Sequence, residues 1–285
     1  MAQSLAMAFG IPKAVKQTRA AVARNGGGAK RKFSSYDETL GLKEALAALR
    51  EYDGALLANT IGYIDPTPAH EYYMGGSIQS VTPGLPGPQV GVAVTCEMDS
   101  STPCQKGNLD ALWQQLDEIK ALGMPAMWVV KAIGSRPDHE CIAGDGMGKS
   151  LASVGCVGIV TDGRVRDVKG FAGIPLAVYS KGITIHHTSL RIRSINRPVE
   201  VGGIMVHQGD IIHASAEGVI KIPKACLPIL PAKAIQMWAF EREAHEVFSN
   251  KALSSPEKKR RVLEILAARG FNVPSSGKRE KQMMP

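Results

Sequence analysis

Two aspartates and one arginine have the residue types and the spacing for metal-assisted chemistry on an anionic substrate. Asp145 follows a glycine, and twenty residues separate it from the adjacent pair Arg166-Asp167. The stretch between them is glycine-rich, then apolar, then turn-forming, which predicts a loop, a helix, a strand and a turn. Such a unit would bring both carboxylates and the guanidinium together. The acids could then hold a hard divalent cation while the arginine pairs with a substrate carboxylate.

Each side chain has a predicted role in this site. Asp167 is the predicted metal ligand, because Arg166 and the N–H groups of a helix start would keep its carboxylate ionised. Arg166 would bind the substrate carboxylate or a developing enolate oxygen, and Asp145 would hold a water that moves the proton. A loop with little side-chain bulk can point backbone N–H groups at the anion, and its predicted binding residues are Gly144, Gly146 and Met147. A helix cap with a surface ion pair is the alternative that the residues alone leave open.

The elements that must position these residues follow from hydrophobic periodicity. Apolar residues at helical spacing predict helices over residues 38–52, 109–122, 231–250 and 256–269, with a short one at 150–154. Short apolar runs predict strands at 90–95, 126–130, 157–160, 176–179, 183–185, 198–206, 211–213 and 219–222. A further helix is expected from about Arg164, with Arg166 and Asp167 on its first turn. The mixed order, with a β-rich C-terminal half, predicts an α/β sandwich.

The charge distribution predicts three segments. Residues 1–36 contain no acid, and the net charge of +8 lies mainly in this region and near the C-terminus. We therefore expect a basic arm over 1–35, a catalytic domain over 36–250, and a C-terminal helix with a basic tail over 251–285. Basic arms can bind nucleic acid or anionic lipid, but solvated arms are the more common case, so nucleic acid is not the expected partner. The Ala-rich start is also partly typical of a transit peptide, although it has few serines.

Composition favours a globular protein of a reducing compartment. Hydrophobic residues make up 44% of the chain, yet no apolar run approaches the ~18 residues of a membrane span. The five cysteines form no C-x-x-C pair, which argues against a disulfide framework or a zinc site. We therefore expect a cytoplasmic protein that does not associate with membranes, with cysteines acting as small buried apolar residues.

The motif Asp145, twenty residues, Arg166-Asp167 resembles the D-x20-R-D motif of the RraA-like family. This family contains the 4-hydroxy-4-methyl-2-oxoglutarate and 4-carboxy-4-hydroxy-2-oxoadipate aldolases and the RraA regulators of ribonuclease E. The resemblance covers roughly residues 84–223, and its supporting segments in family order are 157–163, 198–203, Gly209-Asp210 and 217–223. It implies an RraA-like α/β sandwich of the swivelling β/α type, with an N-terminal helical extension and C-terminal helices.

The resemblance also implies a chemistry and an assembly. The residue matching Asp167 holds Mg²⁺ or Mn²⁺, that matching Arg166 contacts the pyruvoyl group of a 2-oxo acid, and that matching Asp145 positions a catalytic water. The implied reaction is retro-aldol cleavage through a pyruvate enolate, which also serves oxaloacetate decarboxylation. Members form trimers or pairs of trimers, and a C-terminal glutamate of a neighbouring subunit reaches the site. Glu243 and Glu246 are the candidates for this glutamate.

One departure from the family pattern opens two alternatives. The family's aldolases carry an acid three residues after the metal aspartate, where this chain has Gly170, and Lys149 adds a cation near the loop. The first alternative is a relative that acts on another, sugar-acid-like substrate. The second is a non-catalytic regulator or interaction protein. His186 and His187 could reach the site, but we expect structural roles for both, since neighbours on a strand face opposite sides.

Overall fold

The computed structural model describes residues 38–82 and 87–272. The predicted basic arm and the last part of the predicted tail lie outside these residues, so the three-segment division stays a prediction. Within them, the helices are α1 Glu38–Leu49, α2 Gly54–Ile64, α3 Asp110–Leu122, α4 Asp145–Ser153, α5 Val168–Phe171, α6 Leu230–Ser249 and α7 Ser255–Ala268. The strands are β1 Gln79–Ser80, β2 Gln89–Asp99, β3 Ala126–Ala132, β4 Cys141–Ala143, β5 Cys156–Thr161, β6 Arg164–Val165, β7 Ala177–Ser180, β8 Arg191–Ile195, β9 Val199–Val201, β10 Ile204–Val206, β11 Ile211–Ser215 and β12 Gly218–Ile222.

The main sheet has eight strands in the order β1-β7-β5-β3-β2-β11-β12, with β8 also paired to β2. Strands β2, β3, β5 and β7 run parallel, whereas β11 and β8 pair antiparallel with the two ends of the long strand β2. The parallel strands are nearly continuous apolar runs because both of their faces are covered. Two short ladders, β9–β10 and β4–β6, lie outside the main sheet. The predicted α/β architecture is confirmed.

The hydrophobic core fills both faces of the sheet and extends under the terminal helices. On one face, Trp128 is fully buried among residues of α3, α4 and α5, and its indole N–H donates to Gln115 Oε1 at 2.9 Å. On the other face, the β9–β10 hairpin packs over β3 and its neighbours. A third cluster joins α1, α2, α6 and α7 to β11 and β12. The sheet is therefore a rigid support for the loops at its edge.

Local signals explain several helix boundaries. Helix α3 ends at Gly123, whose φ of 60° is left-handed, as expected for a glycine after the last turn. Helix α7 begins with a capping box in which Ser254 and Glu257 satisfy each other's backbone N–H groups. The predicted helix over 38–52 ends earlier, at Leu49, and a second helix that the sequence analysis missed starts at Gly54 behind the cap Asp53.

Three predicted elements near the motif are wrong in detail. The helix expected from Arg164 is instead strand β6, and the following helix begins only at Val168. The predicted strand 183–185 is reduced to one parallel bridge between Ile183 and Val165, in an exposed connection where Ile185 is 90% exposed. The predicted binding loop is the first turn of α4, because this helix begins at Asp145 and not at 150. No helix in the described part of the chain is long and apolar enough to cross a membrane.

Candidate functional site

The short parallel ladder between β4 and β6 brings the two halves of the motif together. Cys141 is paired with Arg164 and Ala143 with Val165, and the N–H of Arg166 donates to the carbonyl of Ala143 at 3.0 Å. The carboxyl ends of parallel strands lie at the same edge, so the residues after β4 meet those after β6. The twenty residues between Asp145 and Arg166 are spanned by α4, β5 and a tight turn.

These residues line a cavity of about 240 Å³ at the strand ends. Every site residue predicted from the motif is present in its wall: Gly144, Asp145, Gly146, Met147, Arg166 and Asp167. The wall also contains residues that the motif did not include, which are Cys141, Ile142, Ala143, His187 and Leu190. The N-terminus of α4 forms one side, and its partial positive charge favours an anion there.

Arg166 and Asp167 form a polar pair at this cavity. Arg166 Nε lies 3.3 Å from Asp167 Oδ2, yet it is buried and has no hydrogen-bond partner among the described residues. Asp167 has a left-handed backbone, with φ of 56°, which aspartate tolerates better than most residues. Its side chain is 45% exposed and makes no cap hydrogen bond, so the expected stabilisation by helix-start N–H groups is not present. An anionic ligand would satisfy the orphaned N–H of Arg166.

Asp145 forms an ion pair with a lysine and packs against a glycine. Its Oδ2 lies 2.7 Å from Lys149 Nζ, one turn along α4. The hydrogen bond from Lys149 is the main reason that the pKa of Asp145 is lowered. A Cβ built on Gly170 would lie 2.6 Å from Asp145 Cβ and 2.7 Å from its Oδ2. Asp145 therefore occupies the space that a side chain at position 170 would need.

Gly144 makes a second close approach. A Cβ on Gly144 would lie 2.5 Å from Asp167 Oδ2 and 3.1 Å from Arg166 Nε. The backbone of Gly144 has a φ of −120°, which any residue can adopt. Glycine is therefore needed here for the space that its missing side chain leaves, and not for its conformation. The missing side chain lets the two polar groups pack against the backbone before α4.

Both histidines lie closer to the site than expected. His187 lines the cavity, and His186 Nδ1 lies 3.3 Å from Arg166 Nη1. The prediction of purely structural roles assumed strand geometry, but these residues lie in the connection between β7 and β8.

The thiol of Cys141 stays protonated near neutral pH, because burial raises its pKa to about 11. Four of the five cysteines are buried as expected, whereas Cys104 is exposed.

The two predicted glutamates lie on α6, outside the cavity wall. Glu243 pairs with Arg269 just beyond the end of α7, and Glu246 is exposed. The pair with Arg269 holds α6 and α7 together within one chain. That either glutamate reaches the site of a neighbouring subunit stays a prediction.

The donor set of the cavity fits a hard divalent cation. Asp167 and Asp145 are its carboxylates, and no group of three or more histidines, cysteines or acids is placed to hold a metal within residues 38–82 and 87–272. Mg²⁺ keeps several waters and needs only one or two protein carboxylates, whereas a structural zinc site needs four ligands. Asp167 is the better placed of the two, since Lys149 engages Asp145.

Comparisons with known proteins identify the family of this chain. The family model described as "RraA-like: Aldolase/RraA" matches residues 67–221, more than half of the chain. A protein of Halalkalibacterium halodurans named "Putative 4-hydroxy-4-methyl-2-oxoglutarate aldolase" is 38% identical over 89 residues, or 30% of this chain and 41% of that protein. This chain spans about half the length of the curated relatives it matches.

Solved structures support the fold. A crystal structure of RraAS2 from Streptomyces coelicolor, described as an unusual member of the RNase ES inhibitor RraA protein family, has a TM-score of 0.57 at 22% identity. The match covers 71% of this chain and 97% of that one. A solved structure described as "Crystal structure of novel cellulases from microbes associated with the gut ecosystem" has a TM-score of 0.59 at 18% identity, and the match covers 75% of this chain and 90% of that one. The resemblance inferred from the motif is confirmed: the chain belongs to the RraA-like family, Aldolase/RraA.

Proposed function

We propose that this protein is a divalent-metal-dependent carbon–carbon lyase that cleaves a 2-oxo acid through a pyruvate-type enolate. Support comes from the family, from relatives named as aldolases, and from one observation in the cavity. The buried Nε of Arg166 has no hydrogen-bond partner among the described residues, yet it lies beside a carboxylate and a helix N-terminus. A site that combines an unsatisfied guanidinium N–H with a cation-binding carboxylate suits a small chelating anion.

The residues divide the work of binding and charge stabilisation. Arg166 pairs with the carboxylate or the 2-oxo oxygen and stabilises the negative charge that develops as the bond breaks. The first turn of α4, from Gly144 to Met147, places a helix N-terminus against the same anion. Asp145 orders a water beside the reacting carbons. Asp167 would hold Mg²⁺ or Mn²⁺, which when bound supplies Lewis acidity toward the oxygen atoms of the 2-oxo acid.

Retro-aldol cleavage and decarboxylation share this arrangement. In the first reaction an aldehyde or ketone leaves from C3 of the 2-oxo acid, and in the second CO₂ leaves from the same carbon. Both leave the bond's electron pair in the pyruvate enolate, so one cavity serves both. We expect homotrimers or hexamers in which Glu243 or Glu246 of a neighbouring subunit completes the site.

A pyruvate-release assay tests the proposal. Protein with Mg²⁺ is given oxaloacetate or 4-hydroxy-4-methyl-2-oxoglutarate, and a matched sample contains EDTA. We expect EDTA to abolish turnover, and Arg166→Ala to lower kcat by about 10²–10³-fold, as for other lost oxyanion donors. Asp167→Asn keeps a residue that tolerates the left-handed backbone and should lose Mn²⁺ binding in calorimetry. Turnover that survives EDTA or Asp167→Asn would refute a metal-dependent lyase.

One observation favours a relative with a different substrate. The family's acid after the metal aspartate is replaced by Gly170, and Asp145 with its partner Lys149 fills that space. Activity on another 2-oxo acid, with no activity on the two substrates above, would support this candidate. A purely regulatory protein is the remaining alternative, and it would release no pyruvate from any 2-oxo acid while still folding normally.

A further inference from the structure

The ring of His187 has a defined tautomer at the cavity wall. Its Nδ1 lies 2.6 Å from the carbonyl oxygen of Thr188. A carbonyl can only accept, so Nδ1 must carry the proton and Nε2 of the neutral ring keeps its lone pair. A histidine whose orientation is set through one nitrogen offers the other one for proton transfer. His187 lines the same cavity as Asp145, Arg166 and Asp167, so the proposed reaction site includes this histidine.

His186 and His187 hold opposite tautomers. The guanidinium of Arg166 can only donate, so His186 accepts on Nδ1 and carries its proton on Nε2. The two rings lie 5.1 Å apart at an angle of 35°. His186 therefore helps to orient Arg166, while His187 stays free of that contact. The connection is tied to the sheet where Thr188 N donates to Ser100 O at 2.8 Å, so His187 does not depend on Arg166 for its position.

Asp145 is poorly suited to take a proton in this chain. Lys149 Nζ donates to its carboxylate at 2.7 Å, so one carboxylate oxygen is already engaged. A carboxylate stabilised as the anion is a weak base, whereas a histidine is matched to proton transfer near neutral pH. The cavity wall also includes a protonated thiol, Cys141, which is not a base at that pH.

We propose that His187 Nε2 is the general base that removes the proton of the substrate's 4-hydroxyl group in retro-aldol cleavage, an inference that rests on the proposed lyase function. As the O–H proton moves to Nε2, the oxygen forms a C=O double bond and the C3–C4 bond breaks. The electron pair of that bond becomes the C2–C3 double bond of the enolate, whose oxygen faces Arg166. The imidazolium then returns the proton to C3 through the water held by Asp145, and the ring ends neutral.

The two reactions of the site separate this role from a structural one. Retro-aldol cleavage needs the hydroxyl proton removed before the bond breaks, whereas decarboxylation of oxaloacetate removes no proton in that step. We expect His187→Gln to lower kcat for 4-hydroxy-4-methyl-2-oxoglutarate by about 10²-fold or more. Its kcat for oxaloacetate should stay within about threefold of the native value, as expected when no general base is needed. His70→Gln, at an exposed histidine outside the cavity wall, is the matched control and should change neither.

Imidazole ¹⁵N spectra give a readout that does not require turnover. We assign the His187 signals by their loss in His187→Gln. We expect a protonated Nδ1 and an unprotonated Nε2, with the Nε2 signal shifting when oxalate is added in the presence of Mg²⁺. Equal losses of both reactions in His187→Gln, an unchanged retro-aldol kcat, or a protonated Nε2 would each overturn the role of His187. If the native protein turns over oxaloacetate but not the hydroxy acid, the lyase proposal survives while the base assignment fails.

Discussion

Asp145 packs directly against Gly170, where the side chain of another residue would lie. The Cβ, Cγ and Oδ2 atoms of Asp145 all lie within 2.8 Å of where a Cβ at position 170 would be. Real side chains do not pack this closely, so a residue other than glycine there must displace Asp145 from Lys149 or from the cavity. The glycine at position 170, where the family resemblance implies an acid, and the Asp145–Lys149 pair are thus two aspects of one local arrangement.

This arrangement predicts that restoring the family residue damages the site. Gly170→Ala and Gly170→Asp should each destabilise the fold by about 1–3 kcal/mol, the usual cost of overpacking, and neither should raise aldolase activity. Gly173→Ala is the matched control, since a Cβ at that position would have no neighbouring atom within 4 Å among the described residues. It should change the unfolding free energy by less than about 0.5 kcal/mol. Chemical denaturation of the three variants checks this, and equal stability of all three would contradict it.

At the scale of elements, the β4–β6 ladder decides where the motif residues lie. Strand β4 is held by the buried carboxylate of Glu140, which accepts from the N–H of Ser100 at 3.0 Å. The hydroxyl of Ser100 in turn accepts from the N–H of Cys141 at 2.8 Å. This network ties the start of β4 to the end of β2, and so fixes the backbone that leads into Gly144 and α4.

The close approach of that backbone to Asp167 predicts an effect on metal affinity. The methyl group of Gly144→Ala would lie 2.5 Å from Asp167 Oδ2, so the carboxylate must move. We expect Mn²⁺ affinity to fall by about 10–100-fold, as when the support of a metal ligand is lost. Calorimetric titration with Mn²⁺ measures this, with Gly173→Ala as the reference. An affinity equal to that of the reference would contradict this prediction.

At the scale of the whole molecule, a buried histidine links the terminal helices to the sheet. His213 of β11 is fully buried, and its Nε2 lies 3.0 Å from the carbonyl oxygen of Tyr52, in the turn between α1 and α2. Its Nδ1 is also buried, with no hydrogen-bond partner among the described residues. Burial lowers the pKa of His213, because the cation would lose its hydration.

This lowered pKa predicts a loss of stability on mild acidification. The unfolded chain gains a proton below about pH 6.5, whereas the folded chain resists it. The contribution of neutral His213 to the free energy of unfolding is therefore fully present above that pH. It is lost as the pH falls from the unfolded-state pKa to the folded-state pKa. Over this interval the free energy of unfolding should fall by up to about 1.4 kcal/mol per pH unit. Urea unfolding of the native protein between pH 7 and 5 should show this dependence of the free energy of unfolding on pH. The His213→Gln variant should lack it, and the His245→Gln variant should retain it. A slope shared by all three would place its origin elsewhere.

The sequence alone determined the fold class and the identity of the motif residues. Apolar runs of the correct length placed β2, β3, β5 and β7, because a buried parallel strand needs little more than hydrophobicity and bounding turns. The acids and arginine of the motif were identified by residue type and spacing, and the cavity contains all of them. These are local properties, which a linear pattern carries.

Contacts between segments distant in the chain were decided only by the tertiary structure. The place of Arg166 and Asp167 after a strand depends on the pairing of β6 with β4, and a pair of two-residue and three-residue strands leaves no periodic signal. The position of His187 depends on how the connection from β7 returns to β2. The space at Gly170 exists only because α5 meets the first turn of α4. Strand register and close packing set these distances, and neither can be predicted from the order of residue types alone.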